Sequence, residues 1–93
     1  MQYHIVYSKS FRKSLKRLSY SGNFDPATLN AVLLSLKEGR VLASVHKDHQ
    51  LQGLFSGCRE CHLKNDLLFI YRANHALQVI TAIDIGSHSE LFG

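Results

Sequence analysis

The spacing of apolar residues near the N-terminus predicts a short strand followed by a helix. Every second residue from Tyr3 to Tyr7 is apolar or aromatic, as expected for a strand that buries one face. Phe11, Leu15 and Leu18 then recur at intervals of three or four residues, which places them on one face of a helix. One of the serines that precede this helix is expected to cap it.

A second helix is marked at both ends by residues that favour helix termini. The Ser-Gly-Asn segment at 21–23 is expected to end the first helix. Asp25 suits the N-cap of the second helix, Pro26 its first turn and Gly39 its C-terminal end. Its core face is predicted to consist of Leu29, Val32, Leu33 and Leu36. Residues 40–57 show no clear period and are predicted to form a mostly irregular loop. Such a loop is long for a compact domain, and loops of this length are often functional.

Three strands are predicted in the C-terminal part of the chain, at about residues 58–64, 66–73 and 76–85. Turns are expected at Asn65-Asp66 and Asn74-His75. The last strand is expected to have one apolar face, made by Leu77, Val79, Thr81, Ile83 and Ile85. The order strand–helix–helix–loop–strand–strand–strand predicts a single α+β domain over residues 1–93, with both helices packed on one face of an antiparallel sheet.

The composition is that of an ordinary globular domain. Of the 93 residues, 45% are hydrophobic and 19% are charged, which argues against a disordered or fibrous protein. No apolar run approaches the roughly 20 residues of a membrane-spanning helix, and the first residues lack the features of a signal peptide. We therefore expect a cytoplasmic protein without membrane contact, in which Cys58 and Cys61 stay reduced.

The net charge of +4 is concentrated in the first predicted helix. Its five basic residues are Lys9, Arg12, Lys13, Lys16 and Arg17, and the first acidic residue of the chain is Asp25. A concentrated basic segment is typical of a surface that binds phosphate groups, and we expect these five residues to bind RNA. A solvated helix face, or a face for an acidic protein partner, would have the same composition.

Residues 58–62, Cys-Arg-Glu-Cys-His, match the signature that attaches haem in c-type cytochromes and could also supply zinc ligands. Either site needs a turn that brings the two thiols together. A strand instead directs Cys58 and Cys61 to opposite faces, because side chains alternate along it. We therefore expect no metal site here and keep a haem or zinc protein as a remote alternative. The same alternation predicts a polar row on one face, made by Glu60, His62 and Lys64.

Four segments, in this order, carry a resemblance to a known family: Asp-His-Gln-Leu-Gln-Gly at 48–53, Gly-Cys-Arg-Glu-Cys-His at 57–62, Asp-Leu-Leu-Phe-Ile-Tyr at 66–71 and Gly-Ser-His-Ser-Glu-Leu-Phe at 86–92. Together they resemble the YafQ branch of the RelE-type bacterial toxins. The resemblance implies the RelE-like fold, β-α-α-β-β-β, and a ribosome-dependent endoribonuclease that cleaves mRNA in the ribosomal A site without metal or other cofactor. It also implies a type II toxin–antitoxin module, in which an antitoxin protein is the partner and operator DNA is contacted only through the antitoxin complex.

The resemblance assigns catalysis to five residues: His49, His62, Asp66, His88 and Phe92. Metal-free RNA cleavage needs a base at the ribose 2′-hydroxyl, an acid at the leaving 5′-oxygen, and a cation or hydrogen-bond donor at the phosphate. Histidine can fill either proton-transfer role near neutral pH, and we expect His88 as the acid with Asp66 or His62 as the base. Phe92 could stack on a nucleobase. Phosphate contacts are expected from Arg59, Lys64 and Arg72.

One position departs from the family pattern in a way that affects the expected chemistry. Many relatives carry an arginine four residues before the last histidine, where this chain has Asp84. An anion beside the reacting phosphate would oppose the reaction by several kcal/mol relative to a cation, at an effective dielectric constant of about 20. Two hypotheses therefore remain besides the haem or zinc protein: an active endoribonuclease, or a weak or inactive module that binds an antitoxin and, through it, operator DNA.

Overall fold

Five strands and three helices follow one another in the computed structural model, which describes residues 2–22, 24–64 and 66–93. In chain order they are β1 (His4–Tyr7), α1 (Lys9–Ser19), α2 (Pro26–Lys37), β2 (His49–Gln50), β3 (Arg59–Lys64), β4 (Leu67–Asn74), β5 (Val79–Ser87) and α3 (His88–Phe92). The predicted α+β order is confirmed, with β2 and α3 in addition. None of the helices in these three ranges is long and apolar enough to span a membrane.

The two long helices begin where the sequence predicts. The hydroxyl of Ser8 accepts a hydrogen bond from the backbone N–H of Phe11, at 3.1 Å. The carboxylate of Asp25 accepts one from Ala27 at 3.0 Å, and Pro26 occupies the first turn of α2. These side chains stabilise helix ends because they bond N–H groups that have no partner within the helix. Asn23 and Asn65, within the predicted helix end and the predicted turn, lie outside the described residues.

The sheet has the strand order β1-β5-β4-β3-β2 and is mixed rather than antiparallel. Strands β3, β4 and β5 are antiparallel neighbours, as predicted, and β2, which was not predicted, pairs antiparallel with β3. Strand β1 lies parallel to β5, with His4 opposite Val79, so the prediction of an antiparallel sheet was wrong for this strand. Alternation within a strand sets which face is buried but not the direction of its neighbour, and no hairpin joins β1 to β5. The segment 40–57 contains β2 and two 3₁₀ turns, Ser44–His46 and Gly53–Phe55.

Helices α1 and α2 both pack on one face of the sheet, which confirms the predicted layers. Phe11 of α1 and Val32 of α2 are each 1% exposed, and they share one core with side chains from β3, β4 and β5. The strand residues of this core are Cys61, Leu63, Phe69, Tyr71, Ile80, Ala82 and Ile85. Residues on the opposite face of β3 and β4 are therefore turned away from both helices.

The apolar face predicted for the last strand was right at Ile85 and wrong for the residues before it. Leu77 is 72% exposed and lies in the turn before β5, whereas Ile80, Ala82 and Ile85 are buried. The β4–β5 register shifts between Ile70 and Tyr71, which leaves one extra residue on β5. A one-residue shift exchanges the two faces of a strand, so a simple alternation across residues 77–85 cannot hold.

Candidate active site

Two histidines and a buried glutamate form a cluster on the sheet face away from α1 and α2. Strand β2 pairs with β3 so that His49 lies directly opposite Glu60. Oε1 of Glu60 is 3.5 Å from Nε2 of His49 and 3.6 Å from Nε2 of His62. The two imidazole rings are 6.4 Å apart between centroids. Both Nε2 atoms therefore face one carboxylate oxygen.

Backbone carbonyls orient the rings around this cluster. Nδ1 of His49 lies 2.7 Å from the carbonyl oxygen of Lys47, and Nδ1 of His46 lies 2.7 Å from that of His62. A carbonyl oxygen only accepts hydrogen bonds, so each of these Nδ1 atoms carries a proton and donates it. For His49, Nε2 is then the atom that can take up or release a proton. His46 instead fastens the loop to β3.

Glu60 was not among the predicted catalytic residues, although it belonged to the predicted polar row. The residue is 5% exposed, and a buried charged group is rare in proteins unless it is paired. The period of two along β3 placed Glu60 on the face of His62. The contact with His49 was not foreseeable, because residue 49 lay in the segment predicted as an irregular loop.

The remaining three predicted catalytic residues meet at α3. The backbone N–H of His88 donates to Oδ1 of Asp66 over 3.4 Å, which places the carboxylate beside the first residue of α3. The rings of His88 and Phe92, one helical turn apart, are 5.1 Å apart between centroids. Ser87 and Glu90 bond each other's backbone N–H groups in a capping box that starts this helix. The Ser-x-x-Glu spacing is the sequence signal from which α3 could have been predicted.

Strand register places the two groups on neighbouring parts of the same face. His62 lies opposite Leu68 on β4, and Leu68 lies opposite Gly86 on β5. The separation from His62 to Gly86 is thus two strand spacings, about 10 Å. α3 starts two residues after Gly86. We name the two groups together the candidate site: His49, Glu60, His62, Asp66, His88 and Phe92.

The predicted cations differ in their relation to the candidate site. The five basic residues of α1 are all exposed, and Nη2 of Arg17 lies 3.5 Å from Oε2 of Glu90, which links α1 to α3. Hydrogen bonds from Ser87 lower the pKa of Glu90, with the Arg17 charge adding to the effect. Lys64, at the end of β3, and Arg72, beside Cys58, are also exposed.

Arg59 is not brought to the histidines. It lies on the helix-covered face, where Nε is 3.2 Å from Oδ1 of Asp48, and the hydroxyl of Tyr71 donates to the same oxygen at 2.7 Å. Asp48 raises the pKa of Arg59. Burial, together with the same carboxylate, raises the pKa of Tyr71. Side chains on a strand alternate between faces, so Arg59 lies on the same face of β3 as the core residue Cys61 and on the face opposite His62.

Arg59 to His62 of the Cys-Arg-Glu-Cys-His segment lie in β3, as predicted, and Cys58 lies directly before that strand. Cys61 belongs to the core beneath the helices and burial raises its pKa to about 12, whereas Cys58 contacts Arg72 on the other face. Two thiols on opposite faces cannot attach one porphyrin. Across residues 2–22, 24–64 and 66–93, no three histidine, cysteine, aspartate or glutamate side chains are arranged to hold a metal ion.

Asp84 is bound to α1. Its Oδ1 accepts a hydrogen bond from the hydroxyl of Ser14 at 2.6 Å and one from the backbone N–H of Ile85 at 2.8 Å. Ser14, like Phe11, is a buried residue of α1. The carboxylate at the position where the resemblance led us to expect an arginine therefore has a structural partner.

Comparison with known proteins gives one family. Residues 3–93 match the family model described as the bacterial toxin of type II toxin–antitoxin system, YafQ. The mRNA interferase toxin YafQ of Escherichia coli strain K12 is 32% identical over 94 aligned residues, which cover 100% of this chain and 99% of the relative. The metal-bound toxin from Helicobacter pylori is 41% identical, with a TM-score of 0.88 over 99% of this chain and 100% of that chain. A chain of the E. coli DinJ–YafQ toxin–antitoxin complex is 31% identical, with a TM-score of 0.86 over 100% of both chains.

Proposed function

This chain belongs to the YafQ family of bacterial toxins from type II toxin–antitoxin systems, and from that membership we propose that it is an mRNA interferase inhibited by a cognate antitoxin. The endoribonuclease cleaves mRNA in the ribosomal A site. One core that joins both long helices to the sheet supports a single toxin domain over residues 1–93. The site of action is the cytoplasm, where ribosomes and messages are found.

The observation that carries this proposal is the convergence of the candidate site on one sheet face. Residues from β2, β3, the turn before β4 and α3 supply three imidazoles, two carboxylates and one phenyl ring. These groups are separated by up to 43 positions in sequence, from His49 to Phe92, so their assembly depends on the fold. Imidazole and carboxylate groups are those that general acid–base cleavage of RNA requires.

The two groups of the candidate site, the His49–Glu60–His62 cluster and the residues at α3, perform different proton transfers. The His49–Glu60–His62 cluster removes the proton of the ribose 2′-hydroxyl, with Glu60 holding the imidazole that becomes charged. His88, at the start of α3, protonates the 5′-oxygen as the bond to phosphorus breaks. Asp66 holds the backbone of His88 in place rather than its ring, because it accepts the His88 N–H. This assignment favours His62 over Asp66 as the base.

Binding of RNA involves the exposed cations. The basic face of α1, with Lys64 and Arg72, contacts phosphates of ribosomal RNA and message, and Phe92 stacks on a base of the A-site codon. Phe92 is 39% exposed, which leaves ring surface for such a contact. The antitoxin covers the same basic face, and operator DNA is bound only through the antitoxin complex.

A translation-coupled cleavage assay tests the proposed function. Purified protein is added to a translating extract, and the ends of the message are mapped with and without a chelating agent. We expect codon-periodic cleavage that EDTA leaves unchanged at fixed magnesium activity. The metal-bound toxin from H. pylori makes the chelator arm necessary. Absence of cleavage at high protein concentration would instead support an inactive module that only binds an antitoxin.

Variants of the cluster sharpen this assay. Glu60→Gln keeps the size of the side chain but removes the charge, and we expect cleavage to fall about 10²–10³-fold, as for loss of a group that stabilises a charged transition state. His62→Ala is expected to lose at least as much. His4→Ala, an exposed histidine on β1, is the matched control and should cleave like the wild type. Equal activity of Glu60→Gln and wild type would contradict the role of the cluster.

A further inference from the structure

We propose that Phe55 is a positioning residue that fixes the orientation of the Phe92 ring for stacking on the A-site base, an inference that rests on the proposed function. Phe55 ends the 3₁₀ turn Gly53–Phe55, in the segment that was predicted to be an irregular loop. Its ring lies 5.6 Å from that of Phe92 between centroids, at an interplanar angle of 85°. Such an edge-to-face geometry is a favoured arrangement of two aromatic rings.

The backbone around Phe55 is built to hold this ring in one place. Gly53 and Gly57 flank it with φ angles of 69° and 91°, a region that other residues avoid. The N–H of Leu51 donates to the carbonyl of Cys58 and the N–H of Cys58 donates to the carbonyl of Phe55, both at 2.9 Å. The turn is thereby fastened to the start of β3 and is not a free loop.

Within this turn, Phe55 differs from its neighbour in a way that indicates its role. Leu54 is 95% exposed, whereas Phe55 is half-buried against Phe92. Phe92 in turn contacts His88, at 5.1 Å between centroids and 46° between ring planes. Three rings thus form a continuous row from the turn to the proposed general acid, with Phe92 in the middle.

This row explains how a ring on a short C-terminal helix can present a defined face. α3 has only five residues, and helices of that length are marginal without tertiary contacts. Phe55 limits rotation of the Phe92 side chain from one side, and His88 limits it from the other. Phe55 does not contact the reacting atoms in this arrangement. It acts through Phe92.

Base stacking and cleavage are measured separately to test this. Ribosomes carry a message with 2-aminopurine in the A-site codon and 2′-O-methyl groups that block cleavage, so fluorescence quenching reports stacking. Phe55→Leu is expected to reduce quenching and to slow single-turnover cleavage of the unmodified message about three- to tenfold, the factor that one aromatic pair contributes. Phe55→Trp should restore both. Leu77→Ala, an exposed apolar residue in the β4–β5 turn, is the control and should change neither.

A double variant distinguishes positioning from a general structural effect. In the Phe92→Leu background, Phe55→Leu should cause no further loss of quenching or cleavage, because its effect passes through Phe92. Additive losses, or unchanged quenching in Phe55→Leu, would overturn the proposal. If the wild type cleaves no message, the proposed function fails. The placement of Phe55 is then tested by NMR of the free protein, where Phe55→Leu must shift the ring protons of Phe92.

Discussion

The hydrogen bond between Ser14 and Asp84 is expected to hold α1 against β5, and its removal should lower stability without affecting cleavage. At 2.6 Å it joins a buried hydroxyl to a carboxylate, and hydrogen bonds to charged groups contribute about 1.5–3 kcal/mol. Ser14→Ala leaves Asp84 its second donor, the N–H of Ile85, so the lower end of this range applies. Alanine also favours a helix over serine by about 0.5 kcal/mol. The net destabilisation should therefore be about 1 kcal/mol.

Asp84→Ala removes both hydrogen bonds and should destabilise the protein by about 2–3 kcal/mol. Urea unfolding of the wild type, both single variants and the double variant gives the coupling energy, which we expect at about 1–1.5 kcal/mol. With a urea slope of about 1 kcal/mol/M, Ser14→Ala moves the midpoint by about 1 M. Ser19→Ala, on an exposed site of the same helix, is the control for helix propensity and should not destabilise.

The functional half of this prediction concerns Asp84→Asn, which keeps an acceptor oxygen for Ser14. Because the carboxylate is bound to α1 and not to the candidate site, single-turnover cleavage should stay within about twofold of wild type at a temperature where the variant is folded. A coupling energy below about 0.3 kcal/mol would refute the structural role. A tenfold change in cleavage by the folded Asp84→Asn variant would refute the separation of Asp84 from the chemistry.

Three further predictions concern charge, pH and α3. Lys13→Ala should lower the slope of log affinity against log salt for ribosomes by about 1, whereas Arg59→Ala should leave that slope unchanged, because Arg59 is paired with Asp48; equal slopes for both variants would contradict the division of cations. Burial raises the pKa of Cys61 from 9.0 to about 12 and also raises that of Tyr71. Both groups are neutral in the folded protein and ionise more readily when unfolded. Their contribution to the free energy of unfolding is therefore constant below about pH 9, and the free energy of unfolding should fall as pH rises from 9 towards 12, as measured by urea titration at several pH values. Stability that rises over this range would contradict the burial of both groups. Ser87→Ala removes the N-cap of α3 and should weaken that helix by about 1 kcal/mol; faster amide hydrogen exchange at α3 with an unchanged core is the expected observation, and unchanged exchange would argue against the capping box.

The elements that could be predicted were those with a local signal. Phe11, Leu15 and Leu18 gave α1, and Asp25 with Pro26 gave the start of α2, because helix periodicity and caps depend on residues a few positions apart. The capping box of α3 was equally local but was not recognised. Strand β2 has two residues, too few for any period, and was not predictable from its own sequence.

Most residues of the candidate site could be predicted, but most contacts between them could not. Family resemblance indicated His49, His62, Asp66, His88 and Phe92, and the structure brings them to one face in two groups. The contact of Glu60 with His49 and that of Phe55 with Phe92 were found only in the structure, since these partners lie 11 and 37 positions apart along the chain. A phosphate contact by Arg59 stays a prediction that its pairing with Asp48 does not support.

Sequence alone was enough to predict helices α1 and α2, the pairing of strands joined by hairpins and the family, because each is recorded in neighbouring residues or in an ordered set of motifs. Three features were found only in the folded chain: β1 runs parallel to β5, the buried apolar side chains of β5 are Ile80, Ala82 and Ile85, and Asp84 bonds α1. All three have one cause. Strand direction, register shifts and side-chain partners are set by contacts between distant segments, and periodicity along one segment carries no information about them.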